Sequence, residues 1–396
     1  MASEMQYRTM QYRTDPKNGN QLSALGFGCM RFPVSAALRE ELITTAVKAG
    51  INYFDTAYLY PGNEAALGAI LKKNGLREKV FIADKLPCAK CKTREDKEKL
   101  FAESLSRLQT DYIDYYLIHN LGSIDVWERL VGLGIKEWIA DKKAKGIIRN
   151  IGFSFHGKAG DFRPLLDAYD WDFCQIQYNY MNENYQAGTA GLNAIHEKGI
   201  AAIIMEPLLG GRLAQNLPNA AKELFDKAAP GRTPAAWGFK WLWDKPEVTV
   251  VLSGMNAMEQ LQENIGIVSS SPALSLTAEE RAVYTQAYKA VSEAYKVPCT
   301  GCNYCMPCPQ GVNIPGCFSG YNISHVLGFF SGIQAYANSV LLGSTPAGPG
   351  KCTQCGVCIK KCPQSIDIPN RLKEVRKRME PFYIRAALAV IKRVLG

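Results

Sequence analysis

The chain has 396 residues, 47% hydrophobic and 21% charged, with a formal net charge of +9. That length exceeds one ordinary core, so two domains are the default, and the apolar fraction can bury them. Much of the charge is terminal: residues 371–396 hold Arg371, Lys373, Arg376, Lys377, Arg378, Arg385, Lys392 and Arg393 against Glu374 and Glu380, which leaves a nearly balanced body and no expectation of a nucleic-acid partner.

The opening MASEMQYRTMQYRT lacks the apolar core of a secretory leader. MQYRT stands twice in tandem, at 5–9 and 10–14. Residues 1–9 read as a cloning scar or a local duplication and stay outside the fold argument. From there to about 270, short β-rich runs alternate with amphipathic stretches. The runs are 22–27, 51–56, 79–84, 112–118, 148–153, 173–179, 200–205 and 248–252. Helices are predicted near 36–49, 63–74, 94–108, 125–145, 160–169, 188–198, 233–243 and 257–268. This pattern predicts an α/β fold: a (β/α)8 TIM barrel over 10–285. An open doubly wound sheet would more often begin with a full G-x-G-x-x-G, and only Gly26-Phe27-Gly28 is present.

Residues 271–298 read as a linker that becomes a helix. A smaller, mainly helical iron–sulfur domain is predicted over 286–380. Inside it, 318–342 is apolar but broken by Asn322, His325, Gln334 and Asn338, a poor transmembrane pattern. Residues 343–350 form a Gly/Pro-rich loop and 371–380 a charged helix. Pro381 breaks that helix, and 381–396 reads as a basic amphipathic C-terminal helix. Docking on the barrel is its plainest use; a landing surface for an acidic electron carrier and a membrane-surface contact are the alternatives.

Nine of the thirteen cysteines lie in the last hundred residues. Cys352, Cys355, Cys358 and Cys362, followed by Pro363, have the bacterial ferredoxin spacing, in which the fourth ligand serves the other cluster. Cys299, Cys302, Cys305 and Cys308, followed by Pro309, are one residue shorter before the last cysteine. Structural zinc usually joins two well-separated pairs, so these packed runs favour [4Fe–4S] clusters. Two clusters are expected; the shortened first run, with Cys317 as a spare, leaves one as the alternative. Such thiols imply a reducing cytoplasm. Cys88 and Cys91 form a further C-x2-C, either a redox dithiol or two inert loop thiols. Cys29 is placed to touch a cofactor, and Cys174 reads as a buried strand residue.

Polar residues at the C-terminal ends of barrel strands face the mouth of the barrel. Asp55, Lys85 and His119 end three successive predicted strands, and Tyr60 follows Asp55 by five residues. Reducing a carbonyl needs a proton donor. A tyrosine must be made more acidic for that work, and a lysine held by a carboxylate does so. A histidine can hydrogen-bond the carbonyl oxygen.

With these motifs in view, the chain resembles an aldo-keto reductase, of the branch that carries a C-terminal ferredoxin-type 4Fe-4S domain. FDTAYLYPGNE, FIADKLP and LIHN carry the likeness, with CTGCNYCMPCPQGVNIP and CTQCGVCIKKCP behind them. The resemblance implies Tyr60 as general acid, Lys85 and Asp55 as the groups that tune it, and His119 as the substrate-orienting residue. It implies a NADP or NAD site. Gly28, Cys29, Met30, Ser154, Gln175 and Met205 would surround the nicotinamide. Leu208, Gly210 and Gly211 would line the pyrophosphate. Ser253, Gly254, Met255, Gln260, Glu263 and Asn264 would face the adenosine. Two departures stand out. Residues 254–264 contain no Lys or Arg for a 2′-phosphate, and Met205 replaces the aromatic ring many members stack on the nicotinamide.

The leading expectation is therefore reduction of a small carbonyl, or oxidation of an alcohol, by NAD(P)H. The clusters would serve structure or electron transfer. The alternative is a ferredoxin- or flavoprotein-fed reductase in which the clusters deliver electrons to the substrate with little or no use of nicotinamide. Nicotinamide moves hydride and a cluster moves single electrons, and no flavin motif is visible to join them.

Overall fold

The structure, a computed structural model, describes residues 10–341 and 347–381. The first MQYRT copy and the segment after Pro381 lie outside the described residues. Two compact units are present. One runs to Pro207 and includes Gly238–Leu276; the other comprises Leu208–Trp237 and the residues from Thr277 onward.

The first unit opens with an antiparallel hairpin of β1 (Tyr12–Thr14) and β2 (Gln21–Ser23). Eight parallel strands follow: β3 (Leu25–Gly28), β4 (Tyr53–Asp55), β5 (Phe81–Pro87), β6 (Ile113–His119), β7 (Ile148–Phe155), β8 (Phe173–Gln177), β9 (Ala201–Met205) and β10 (Val250–Ser253). Each pairs with the next, and β10 pairs with β3, so the barrel is closed. The helices that carry the chain back are α1 (Ala36–Lys48), α2 (Asn63–Lys73), α3 (Asp96–Leu108), α4 (Ile124–Gly132), α5 (Ile135–Ala144), α6 (Ala159–Asp167) and α7 (Gly188–Glu197). After β9 come α8 (Asn219–Ala228) and α9 (Pro234–Trp243), and α10 (Met258–Ser269) follows β10.

All eight predicted barrel strands are present, but the run 22–27 is two elements. At Ser23 the side chain takes over from the strand ladder: its Oγ donates to the Leu25 carbonyl at 2.8 Å and accepts from the Asn52 amide at 3.0 Å. The chain leaves the hairpin there and enters the barrel. The stretch 125–145 is also two helices, because Gly134 adopts φ +75 between α4 and α5, a left-handed geometry that suits glycine.

Tyr53, Tyr115, Leu117, Phe173, Ile203, Val250 and Leu252 fill the barrel, and Leu22 from the hairpin joins them. The Tyr115 hydroxyl donates to Asp15 at 2.9 Å and accepts from Asn20 at 3.0 Å. The hairpin loop thus seals the N-terminal end, and the polar strand ends gather at the other.

In the second unit, α8 packs beside α11 (Ala278–Ala294). Phe225 stacks on Trp237 at 4.7 Å, and Tyr284 donates to the Trp237 carbonyl at 2.8 Å. A reciprocal capping box starts α11, with Thr277 Oγ accepting from the Glu280 amide at 3.1 Å and Glu280 accepting from the Thr277 amide at 3.0 Å. Next come α12 (Ile314–Val326), α13 (Phe329–Tyr336), α14 (Val357–Lys361) and α15 (Ile368–Met379). α12 and α13 touch closely: a Cβ added at Gly332 would lie 2.3 Å from Ser324 Cβ. No helix among the described residues is long and apolar enough to cross a membrane.

The two cysteine runs are a structural repeat. Gly301 and Asn303 in the first have φ +69 and +64; Gln354 and Gly356, at the matching places in the second, have φ +61 and +75. Each run then passes through Cys-Pro-Gln to another left-handed residue, Gly311 at φ +69 or Ser365 at φ +50. Asn313 and Asp367 next cap α12 and α15, accepting from the Gly316 and Asn370 amides at 3.1 and 3.5 Å. Successive left-handed residues curl the backbone into a concavity of the kind that receives iron–sulfur clusters.

Candidate active site and metal centres

The barrel brings Asp55, Lys85, His119, Ser154, Gln175, Met205 and Ser253 to the C-terminal ends of successive strands. Lys85 lies at the centre. Its Nζ donates to both Asp55 oxygens at 2.7 Å and to the Thr56 carbonyl at 2.6 Å. Gln175 Nε2 donates to Asp55 Oδ2 at 2.9 Å. Asp55, Lys85 and Gln175 are 5%, 1% and 1% exposed, so the pair sits where water screens it little. The Tyr60 ring is 5.2 Å from Lys85 Nζ and meets the His119 ring edge-on at 6.1 Å between centroids. Unlike the pair below it, Tyr60 is partly exposed.

His119 is buried. Burial, with the charges of Lys85 and His156, pushes its pKa well below the usual histidine value. The ring is therefore neutral near pH 7 and can take part in a hydrogen bond without charge. His156 is pushed down to about 4 by loss of solvent, only partly offset by its contact with Gln186 at 3.2 Å.

The other residues named from the family likeness have these places. Gly28 packs tightly on β10: an added Cβ would stand 3.4 Å from the Ser253 carbonyl oxygen. Cys29 is buried, and burial keeps its thiol well above the usual pKa. Met30 is exposed. Ser154 Oγ accepts from the Asn120 amide at 2.8 Å. Ser253 Oγ accepts from Asn264 at 3.0 Å, and Gln260 accepts from the Asn256 amide at 3.0 Å, which shapes the turn that holds Gly254 and Met255. Glu263 is exposed on α10. Leu208, Gly210 and Gly211 form a tight turn in the second unit, with φ +67 and +93 at the glycines.

Cys88 and Cys91 are buried loop thiols. Cys88 Sγ donates to the His119 carbonyl at 3.0 Å. Arg129 clamps the carbonyls of Cys91 at 2.6 Å and Cys88 at 2.9 Å. Burial raises both pKa values, that of Cys91 to about 11. Such thiols lack the thiolate character that reactive cysteines need. Cys174 is fully buried on β8. Thr56 was invisible to motif reading because its contribution is a backbone carbonyl. Gln175 is expected beside the nicotinamide, and its hold on Asp55 needed the folded register.

The eight clustered cysteines separate into two fours. Cys299, Cys302, Cys305 and Cys362 line one cavity; Cys308, Cys352, Cys355 and Cys358 line another, and Ile314 borders both. Each run therefore lends its last cysteine to the other group, and Cys317 lines neither cavity. No three or more His, Cys, Asp or Glu among the described residues converge closely enough to hold a single ion. Four thiols spread around an apolar cavity fit a multi-iron cube better than one tetrahedral metal.

A closed parallel barrel with a lysine–carboxylate pair beneath a tyrosine and a neutral histidine defines an oxidoreductase of the barrel class. The comparisons agree. The model of the aldo/keto reductase family matches residues 24–280, and that of the 4Fe-4S dicluster domain matches residues 298–368. The chain belongs to the aldo/keto reductase family and carries a C-terminal 4Fe-4S domain. It is 31% identical to an aldo-keto reductase of Mycolicibacterium vanbaalenii over 271 residues, which covers 66% of this chain and 87% of the relative. It is 27% identical to protein tas of Escherichia coli, covering 69% and 98% of the two chains. The solved holo form of aldo-keto reductase AKR11C1 from Bacillus halodurans superposes with TM-score 0.60 at 26% identity, over 71% of this chain and 97% of that one.

Proposed function

We propose that the barrel reduces the carbonyl group of a small molecule, or oxidises the corresponding alcohol, with Tyr60 as the proton donor. The observation that carries this reading is the buried Lys85–Asp55 pair, with Lys85 Nζ 5.2 Å from the Tyr60 ring. The ammonium favours the phenolate that remains once Tyr60 Oη has given its proton to the carbonyl oxygen. Asp55, Gln175 and the Thr56 carbonyl hold the ammonium in place. His119, neutral, orients the carbonyl oxygen by a hydrogen bond. NADPH or NADH, when bound, would supply the hydride for this reduction. Gly28, Cys29, Met30, Ser154, Gln175, Met205 and the segment 253–264 would hold the nucleotide.

Two [4Fe–4S] clusters are assigned to the two cysteine fours, in a protein of the reducing cytoplasm. Their partner would be a ferredoxin or flavoprotein. The absence of any Lys or Arg over 254–264 favours a second reading, in which the clusters feed electrons to the substrate and nicotinamide binds weakly. An anaerobic titration of the iron-loaded protein with NADPH and NADH separates the two. Tight binding with unchanged cluster absorbance supports the hydride reaction, and no binding of either nucleotide supports the electron-fed one. Tyr60→Phe tests the shared acid. kcat/KM with an aldehyde or ketone should fall at least ~10²-fold while nucleotide affinity stays within about twofold; full activity in this variant would sink the reading.

A further inference from the structure

We infer that the surface around Cys355 is the docking site for a small, acidic one-electron carrier protein, which reduces the cluster held by Cys308, Cys352, Cys355 and Cys358. The inference rests on the assignment of those four residues as cluster ligands. Although the two cysteine fours share one backbone plan, their surroundings differ in two respects.

The first is exposure. Cys355 is exposed, whereas the other seven ligands are buried or intermediate. Tunnelling between proteins weakens steeply with distance, so the ligand nearest the surface marks the side by which an electron enters. Val357 and Ile359, which follow it in the chain, are 39% and 40% exposed. They supply the small apolar contact typical of brief electron-transfer encounters.

The second is charge. Residues 297–317, which supply three ligands of the first four and Cys308 of the second, contain no Lys, Arg, Asp or Glu, although Arg212 acts on Cys299 and Lys360 and Lys361 directly precede Cys362 of the first four. Residues 349–363 contain Lys351, Lys360 and Lys361 and no acid, and all three lysines are exposed. Lys351 Nζ reaches to 3.9 Å from the Cβ position of Gly311, beside the Cys308–Gln310 wall of the same cavity. The Arg376 guanidinium lies 3.6 Å from the Cβ position of Gly350. Of the nearby acids, Glu374 pairs with Arg371 at 2.9 Å, while Glu380 accepts from the Tyr336 hydroxyl at 2.6 Å and Asp367 from Asn370 at 2.6 Å; the latter two keep their charge but are outnumbered by Lys351, Lys360, Lys361 and Arg376. A cationic rim around an exposed ligand steers an anionic partner and raises its on-rate. The step is balanced without bond making: the reduced carrier, an iron–sulfur or flavin protein, loses one electron, and the cluster passes from the 2+ to the 1+ state.

The test uses the iron-loaded full chain and reduced flavodoxin, an acidic flavoprotein, as probe, with cluster bleaching followed by anaerobic stopped flow. The wild-type second-order rate should fall steeply with added salt. The double variant Lys360→Glu/Lys361→Glu should be about 10- to 100-fold slower at low salt, with little salt dependence. Lys48→Glu, on α1, should change neither. Dithionite must bleach both proteins to the same extent, with equal iron content; if the wild type holds no cluster on these cysteines, the ligand assignment itself has failed. Equal, salt-insensitive rates in wild type and double variant overturn the docking site. So does salt-sensitive binding to anionic phospholipid vesicles that the double variant abolishes while the flavodoxin rate is unchanged, since the patch would then serve a membrane surface.

Discussion

Lys85→Met is the sharpest perturbation of the barrel site. It removes the contacts to both Asp55 oxygens and to the Thr56 carbonyl. Asp55, 5% exposed, keeps the Gln175 amide at 2.9 Å. An unpaired buried carboxylate of this kind costs about 3–5 kcal/mol. The double variant Asp55→Asn/Lys85→Met removes both charges, and most of that loss should return, so the cycle should show a coupling of about 2–3 kcal/mol. Urea unfolding at pH 7 can be followed by tryptophan fluorescence, because Trp127, Trp138, Trp171, Trp241 and Trp243 all belong to the first unit. A loss below about 1 kcal/mol for Lys85→Met would refute the reasoning. So would a double variant as unstable as the sum of the singles.

Further outcomes follow from the same geometry. His119 and His156 both titrate below the unfolded value near 6.5. As pH falls from 6.5 towards 4, the unfolded chain takes up protons that the native chain refuses, so stability declines through that window and is constant above it. Urea midpoints at pH 7.5 and 5 should show the decline, and His156→Gln should reduce it; an unchanged pH slope would count against the burial argument. Cys308→Ser and Cys355→Ser should leave one residual cluster spectrum and about half the iron, whereas Cys362→Ser and Cys302→Ser should leave the other. A match between Cys308→Ser and Cys302→Ser would disprove the crossed pairing. Gly332→Ala must push α13 away from Ser324 and should cost about 1–3 kcal/mol in thermal unfolding; a neutral result would mean the two helices separate freely.

The barrel was legible because its signals are local and repeat. Each strand is a short β-rich run, and each ends where a helix pattern begins. The misread lay at Ser23, where side-chain hydrogen bonds to Leu25 and Asn52 redirect the chain; alternation of apolar residues continues through that corner and gives no sign of it. The predicted helices do not include α8, although Ala221, Leu224, Phe225 and Ala228 recur at helical spacing, and the packing of Phe225 and Trp237 with Tyr284 is a long-range fact. Asp55, Tyr60, Lys85 and His119 could be grouped because barrel topology gathers consecutive strand ends. Their electrostatics could not. Whether a histidine is neutral depends on what buries it, and nothing in LIHN states that.

The cysteine runs show where spacing stops being informative. Spacing alone left open whether the shorter first run, with Cys317 as a spare, held one cluster or shared two. The fold repeats one backbone plan in both runs. Left-handed residues recur at the matching positions 301 and 354, 303 and 356, and 311 and 365, so the missing residue before Cys308 does not change the path of the run. Both last cysteines then cross to the opposite four, and Ile314 stands between the two cavities. Crossing ties the two fours into one cooperative unit, since neither has a full set of sulfurs from its own run. Ile314 borders both cavities, so the two fours sit one apolar side chain apart, and the second alone has an exposed ligand among the described residues, Cys355. On the docking proposal, the member with the exposed ligand would exchange electrons with the outside first and the shielded member next, an order that the exposure of Cys355 supports and the cysteine spacing does not.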